Sequence, residues 1–164
     1  MTDSNIKSMA DILAAHPLFK GLGKEITDLL GGCASNAHFS SGTYLFKAEE
    51  PADVFYLLRS GDVALELSMP GRGKLIVGTV MPGCVVGASW ILPPYRWRFD
   101  ARAVGDVRAT GIDAACLRQK CDDDPSTGYQ VLKRFLPIVA GRLQSTRMRL
   151  LDLYAPPSEV GHKL

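Results

Sequence analysis

The sequence predicts an α+β chain, mainly β, with helices at both ends of an all-β centre. Three observations predict it. Apolar residues recur at three- and four-residue spacing in the first part of the chain, short alternating runs punctuated by glycine fill Ala37 to Ile112, and a heptad-spaced apolar stripe follows Asp124. At 164 residues, 46% hydrophobic and 22% charged, the chain suits one domain with a core of its own. This balance points to neither disorder nor a membrane class.

Residues 1–9 read as a polar tail without the apolar core of a leader, and no run approaches the roughly 18 apolar residues of a spanning helix. A cytoplasmic chain with no membrane contact is expected. Ala10 to Lys20 reads as a short helix, ended near His16-Pro17 because the residue before a proline is pushed out of the α region. Phe19, Leu22, Ile26, Leu29, Leu30 and Cys33 then mark a second, amphipathic helix from about Gly23 to Gly32, stopped by Gly31-Gly32.

The central strands are clearest at Thr43–Phe46, Val54–Leu58, Val63–Leu67, Leu75–Val80 and Val107–Ile112. Ser41-Gly42, Ser60-Gly61-Asp62, Pro70-Gly71-Arg72-Gly73 and Met81-Pro82-Gly83 break them. Turns this close together favour antiparallel strands closing on themselves, since parallel crossovers need a dozen or more residues each.

The chain ends in helix. Asp124-Pro125 reads as an N-cap and first-turn proline, with Asp122 and Asp123 adding charge that the helix dipole favours. Leu132, Leu136, Val139, Leu143, Thr146, Leu150 and Leu153 form a heptad stripe suited to pairing with another helix. Pro137 removes a hydrogen-bond donor, so a short helix followed by a long one from about Ile138 to Tyr154 is expected. The domain reading is a tail at 1–9, a domain at 10–154 with strands over about 37–112 and C-terminal helices over about 114–154, and a tail at 155–164.

Motifs for enzymatic chemistry are lacking. The 3 histidines, His16, His38 and His162, sit in no nucleophile or metal motif. Gly71-Arg72-Gly73 lacks the third glycine of a dinucleotide loop, and no P-loop occurs. The 4 cysteines have no paired C-x-x-C spacing, so small buried apolar residues or reduced surface thiols are expected, not metal ligands. A net charge of +2 argues against a nucleic-acid footprint over the whole surface. Catalytic residues, metal ligands and a resident cofactor are therefore not expected.

Three stretches carry a family resemblance: Phe19-Lys20-Gly21-Leu22 leading into a helix, the run from Pro51-Ala52-Asp53 through Tyr56 and Gly61 to Val63, and the glycine turn and strand of Gly83 to Gly87. In this order and spacing they resemble the cyclic-nucleotide-binding domains of the catabolite activator type, over about Leu18 to Tyr154. The resemblance implies an antiparallel β-roll, jelly-roll-like, with N-terminal helices and a long C-terminal helix. It also implies a regulatory, non-enzymatic role with cyclic AMP or cyclic GMP as ligand. Only ten residues follow Tyr154, so the helix-turn-helix that many relatives carry, and direct DNA binding with it, is not expected.

In the family a cyclic phosphate is held by backbone N–H groups at a short helix and by an arginine, while a glutamate accepts from the ribose. The matching positions here are Gly87, Ala88 and Ser89, then Arg96, Trp97 and Arg98. Ala88 stands at the glutamate position, and Trp97, six residues before Ala103, at the arginine position. Arg96 and Arg98 flank it, and a one-residue shift along a strand turns a side chain to the other face. Arg98 is the candidate phosphate partner. Thr146 lies in Arg142-Leu143-Gln144-Ser145-Thr146, which resembles the segment whose threonine reaches the purine.

Two functions follow. One is a ligand-sensing regulatory module. The other is a degenerate module whose pocket is filled by Trp90, Tyr95 and Trp97 and whose work is to bind an as yet unidentified protein partner. Under either, the stripe on the last helix is expected to pair two copies as a homodimer.

Overall fold

The computed structural model describes residues 7–155. The tail readings for residues 1–6 and 156–164 lie outside the described residues. Helix α1 (Met9–Ala15) opens on a capping box in which Ser8 and Asp11 satisfy each other's backbone N–H. It stops at His16, whose extended backbone precedes Pro17, so it is shorter than the Ala10–Lys20 expectation. Helix α2 (Lys24–Gly31) buries Ile26 and Leu30 against the strands.

The strands run β1 (Ala34–Phe39), β2 (Tyr44–Phe46), β3 (Val54–Ser60), β4 (Val63–Met69), β5 (Gly73–Val80), β6 (Val85–Val86), β7 (Asp100–Ala103) and β8 (Val107–Asp113). They form two 4-stranded sheets, ordered β1-β8-β3-β6 and β2-β7-β4-β5, and every pairing is antiparallel. This is the expected roll. It begins at Ala34, ahead of the expected Ala37, because Ala34 to Ala37 lack the alternating apolar residues that mark the other strands; they are held by pairing to Ala109–Ile112. The β3–β4 turn needs Gly61, with φ +81°, because a Cβ there would strike the Asp106 carbonyl.

Helix α3 (Ala114–Asp123) starts on Asp113, whose carboxylate accepts from the Cys116 N–H. Helix α4 (Pro125–Tyr154) starts on Asp124, which accepts from the Ser126 N–H and the Thr127 hydroxyl. It runs unbroken through Pro137, where a split was expected. Pro137 and Lys133 are both exposed, so the carbonyl that loses its donor faces solvent.

One core joins these elements: Phe19 and Leu30 from the N-terminal segment, Phe55, Leu57 and Val63 from the sheets, Leu117 from α3, and Val131 and Phe135 from α4. Each such side chain contributes about 1.5–3 kcal/mol on burial. Cys33, between α2 and β1, is joined to Cys116 in the first turn of α3, with Cα atoms 5.9 Å apart. Small apolar residues or reduced thiols were expected. That expectation holds for the free Cys84 and Cys121 and fails for this pair, which tertiary folding brings together across 83 residues.

Candidate functional site

The segment between β6 and β7 holds the predicted site. It leaves β6 through Gly87, at φ +98°, and makes one 3₁₀ turn over Ser89–Ile91. Gly87 is needed twice over: its backbone is left-handed, and a Cβ would lie 2.5 and 2.6 Å from ring carbons of Trp97. The Trp97 indole lies directly over this turn.

Trp97 is 3% exposed and stacks on Phe46, with ring centroids 3.9 Å apart and planes at 14°. Its N–H donates to the Glu50 carbonyl at 3.0 Å, and its carbonyl accepts from the Glu49 N–H at 2.9 Å. Ring and backbone are thus fixed independently. Trp90 is buried too, stacked on Phe55 at 4.9 Å and edge-on to Phe135 of α4 at 5.0 Å. One tryptophan closes the segment onto the roll and the other onto the helix.

The two candidate arginines lie elsewhere. Arg96 is exposed and donates to the Glu49 carbonyl at 2.6 Å, while Arg98 lies 4.0 Å from the Glu49 carboxylate with a largely exposed side chain. Ala88 and Ser89 are half-buried. Thr146 is exposed on α4 and donates back to the Arg142 carbonyl at 2.9 Å. The structure therefore brings Gly87 and Trp97 together, gathers Arg96 and Arg98 around Glu49, and leaves Thr146 apart on the helix.

A charge network lies on the sheet face opposite Ala101 and Ala103. Glu66 accepts from Arg102 at 2.6 Å and from the Tyr44 hydroxyl at 3.1 Å. Lys74 donates to Asp100 at 2.8 Å and to the Tyr44 hydroxyl at 2.7 Å. Burial alone would raise the Asp100 carboxyl, but the hydrogen bonds from Lys74 and the Ala48 N–H outweigh it and hold the group below its usual range. The hydrogen bond to Glu66 raises Arg102. These charges satisfy one another.

Two arginines escaped the site prediction. Arg118 of α3 donates to the Trp90 carbonyl at 2.9 Å and sets its guanidinium 4.3 Å from the centre of the Tyr95 ring, clamping the segment from outside. Arg142 of α4 donates to the Val85 carbonyl at 2.6 Å, and burial lowers its basicity. Both partners are far away in sequence, so no local motif announces them.

A cyclic phosphate held as in the family needs an arginine turned inward. Among the described residues of this segment the inward positions are Trp90 and Trp97, and both arginines face out. An indole thus stands at the position where that mode of binding has its arginine.

An antiparallel roll, with a glycine–3₁₀ segment between its sixth and seventh strands and a long helix behind it, defines the chain as a β-roll domain. The chain belongs to the cyclic nucleotide-binding domain family, whose signature matches residues 37–124, more than half of its length. It is 31% identical over 147 residues to a CRP-like cAMP-activated global transcriptional regulator of Mycobacterium tuberculosis, covering 88% of this chain. The chain spans 63% of the length of that relative. It is also 26% identical over 133 residues to Glutaminase 1 of Bradyrhizobium diazoefficiens, covering 80% of this chain and 21% of that enzyme.

Among solved structures, a Geobacter metallireducens chain described as a cyclic nucleotide-binding protein superposes with a TM-score of 0.74 at 28% identity, over 82% of this chain and 97% of that one. A cyclic nucleotide-binding domain from Methylobacillus flagellatus gives 0.73 at 19% identity, over 96% and 85%, which shows the shared fold.

Proposed function

We propose that this chain is a regulatory module of the CRP-like kind in which the family's nucleotide pocket is closed by its own aromatic side chains, and which acts by pairing with a second copy and binding a protein partner. The observation that carries this reading is the Trp97 indole, stacked on Phe46 and seated against Gly87. A purine nucleotide in the family position would have to displace it, at the cost of an aromatic stack and a fully buried side chain.

Pairing is supported by the division of α4 into two faces. Val131, Phe135 and Ile138 pack against the chain's own roll, whereas the stripe faces solvent, with Leu136 and Leu153 exposed at 68% and 79%. A row of exposed leucines at heptad spacing is suited to burial against an identical helix. Among the described residues no helix is long and apolar enough to cross a membrane. A cytoplasmic regulatory role is part of this proposal and rests on the likeness to a CRP-like regulator.

Calorimetric titration of the whole chain with cyclic AMP and cyclic GMP tests the reading. No saturable heat is expected at millimolar nucleotide, and the double variant Ala88→Glu with Trp97→Arg is expected to gain binding. Saturable binding by the unmodified chain would favour the second reading, a ligand sensor. That reading is supported by the Gly87 turn and the 3₁₀ turn at Ser89, where the family's phosphate contacts fall.

A further inference from the structure

A second concavity lies away from the roll interior. It is a cleft of about 860 Å³ between the turn after α1, the end of β5 with the loop into β6, and the stretch of α4 from Gln130 to Arg142. That is ample for a small ligand. Its walls are apolar: Leu18 and Leu22 on one side, Val80 and Val85 on another, Ile138 on the helix. None of the predicted site residues lines it.

Its charges are all of one sign. Lys133, Arg134 and Arg142 line the cleft, and no aspartate or glutamate does. Arg142 makes one hydrogen bond, to the Val85 carbonyl, and no ion pair among the described residues. A guanidinium carries five N–H donors in a planar fork that matches an oxyanion, and burial makes an uncompensated positive charge costly. The sheet face opposite Ala101 and Ala103 differs sharply: there the charges, Glu66 with Arg102 and Asp100 with Lys74, are already matched in pairs.

A second observation points to the same region. Pro17 and Gly83 also line an adjoining hollow of about 340 Å³, into which His16 and Thr110 contribute. His16 is 8% exposed and Thr110 1%. The His16 Nδ1 accepts from the Leu18 N–H at 3.2 Å, which places the ring proton on Nε2. His16 Nε2 and the Thr110 hydroxyl have no partner among the described residues. Buried donors left open are costly and are met by a partner.

We infer that the cleft beneath α4 is a binding site for a small amphiphilic oxyanion, an apolar tail bearing a carboxylate or phosphate head, with Arg142 as counter-ion. The tail lies along Leu18, Leu22 and Ile138, and the head meets the free edge of the Arg142 fork, with Lys133 and Arg134 adding positive potential. Occupancy ties the turn after α1 to the helix whose outer face carries the leucine stripe.

Sodium octanoate and octyl phosphate, each below its micelle concentration, are titrated calorimetrically into the full chain beside uncharged 1-octanol. The tighter of the two anions identifies the head group. At least one is expected to bind about tenfold or more tighter than 1-octanol, the range of a hydrogen bond to a charged group. Arg142→Gln should erase that difference. Should this variant fail to fold, Ile138→Trp, which fills the cleft, should abolish binding of the anion and the alcohol alike in a chain whose circular dichroism spectrum stays that of the folded protein. Cyclic AMP added at millimolar concentration should leave the affinity unchanged, which keeps the outcome independent of the nucleotide reading. Equal affinity for anion and alcohol, anion binding that survives Ile138→Trp, or no binding at millimolar anion would overturn the inference.

Discussion

The inner and outer faces of the segment from Trp97 to Ala103 differ more than their alternation in sequence suggests. Inward, Trp97, Ala101 and Ala103 are buried and apolar. Outward, Arg98 is largely exposed, while Asp100 and Arg102 are tied to Lys74 and Glu66. Where relatives use an inward guanidinium, this chain turns every cation of the segment out and places an indole inside.

The largest effect expected from testing this contrast is at Trp97. Trp97→Ala should lower the unfolding free energy by about 3–5 kcal/mol, as large-to-small core substitutions of tryptophan do. Phe46→Ala should be similar, and the double variant should fall short of the sum, because either substitution alone removes the stack between them. Chemical denaturation of the four proteins measures this. A loss below about 1 kcal/mol for Trp97→Ala would mean that the indole does not fill the roll, and would reopen the interior to a nucleotide.

Much of this architecture is legible in the sequence because its signals are local. Glycine breakers delimit the strands, Asp124-Pro125 starts the last helix, and the leucine stripe states which face of that helix is left uncovered. The departures at Ala88, next after Gly87, and at Trp97, counted back from Ala103, are equally plain. What stays hidden depends on distant partners. Phe46 meets Trp97, Cys33 meets Cys116 and Arg118 meets the Trp90 carbonyl only once the roll has closed. Arg98 illustrates the same limit: alternation places it on the face opposite Trp97, yet only the position of Glu49 shows where its charge goes. Pro137 is the converse case, a local rule softened by solvent on its side of α4.

A smaller effect separates the two outward arginines. Arg102→Ala leaves the Glu66 carboxylate, only 4% exposed, without its 2.6 Å partner, while the Tyr44 hydroxyl and Lys74 remain nearby. Arg102 is itself 31% exposed, so solvent screens part of the loss, and a modest destabilisation is expected, larger than that from Arg98→Ala. Arg98→Ala should stay within about 0.5 kcal/mol, the usual range for an exposed side chain. Parallel denaturant melts decide. A larger loss for Arg98→Ala than for Arg102→Ala would invert the assignment of the two faces.

The smallest effect expected concerns His16, at the turn that borders the cleft. Burial lowers its basicity from the ordinary value of 6.5, because the charged imidazolium would be poorly solvated there. Lys7 and Arg59 line the same hollow. Unfolding frees the ring to take up a proton, so the unfolded state binds more protons than the folded one once the pH falls below about 6.5. Stability from this group is complete above that pH and is lost progressively as pH falls toward the lower, folded value. The melting temperature should therefore drop on acidification from pH 7 to 5, and His16→Gln, which cannot titrate, should show a shallower drop over the same interval. The comparison is between slopes, so any constant cost of the substitution cancels. Equal slopes for the two proteins would show that His16 carries its proton without penalty, and that the hollow at its Nε2 is open enough to hydrate a charge.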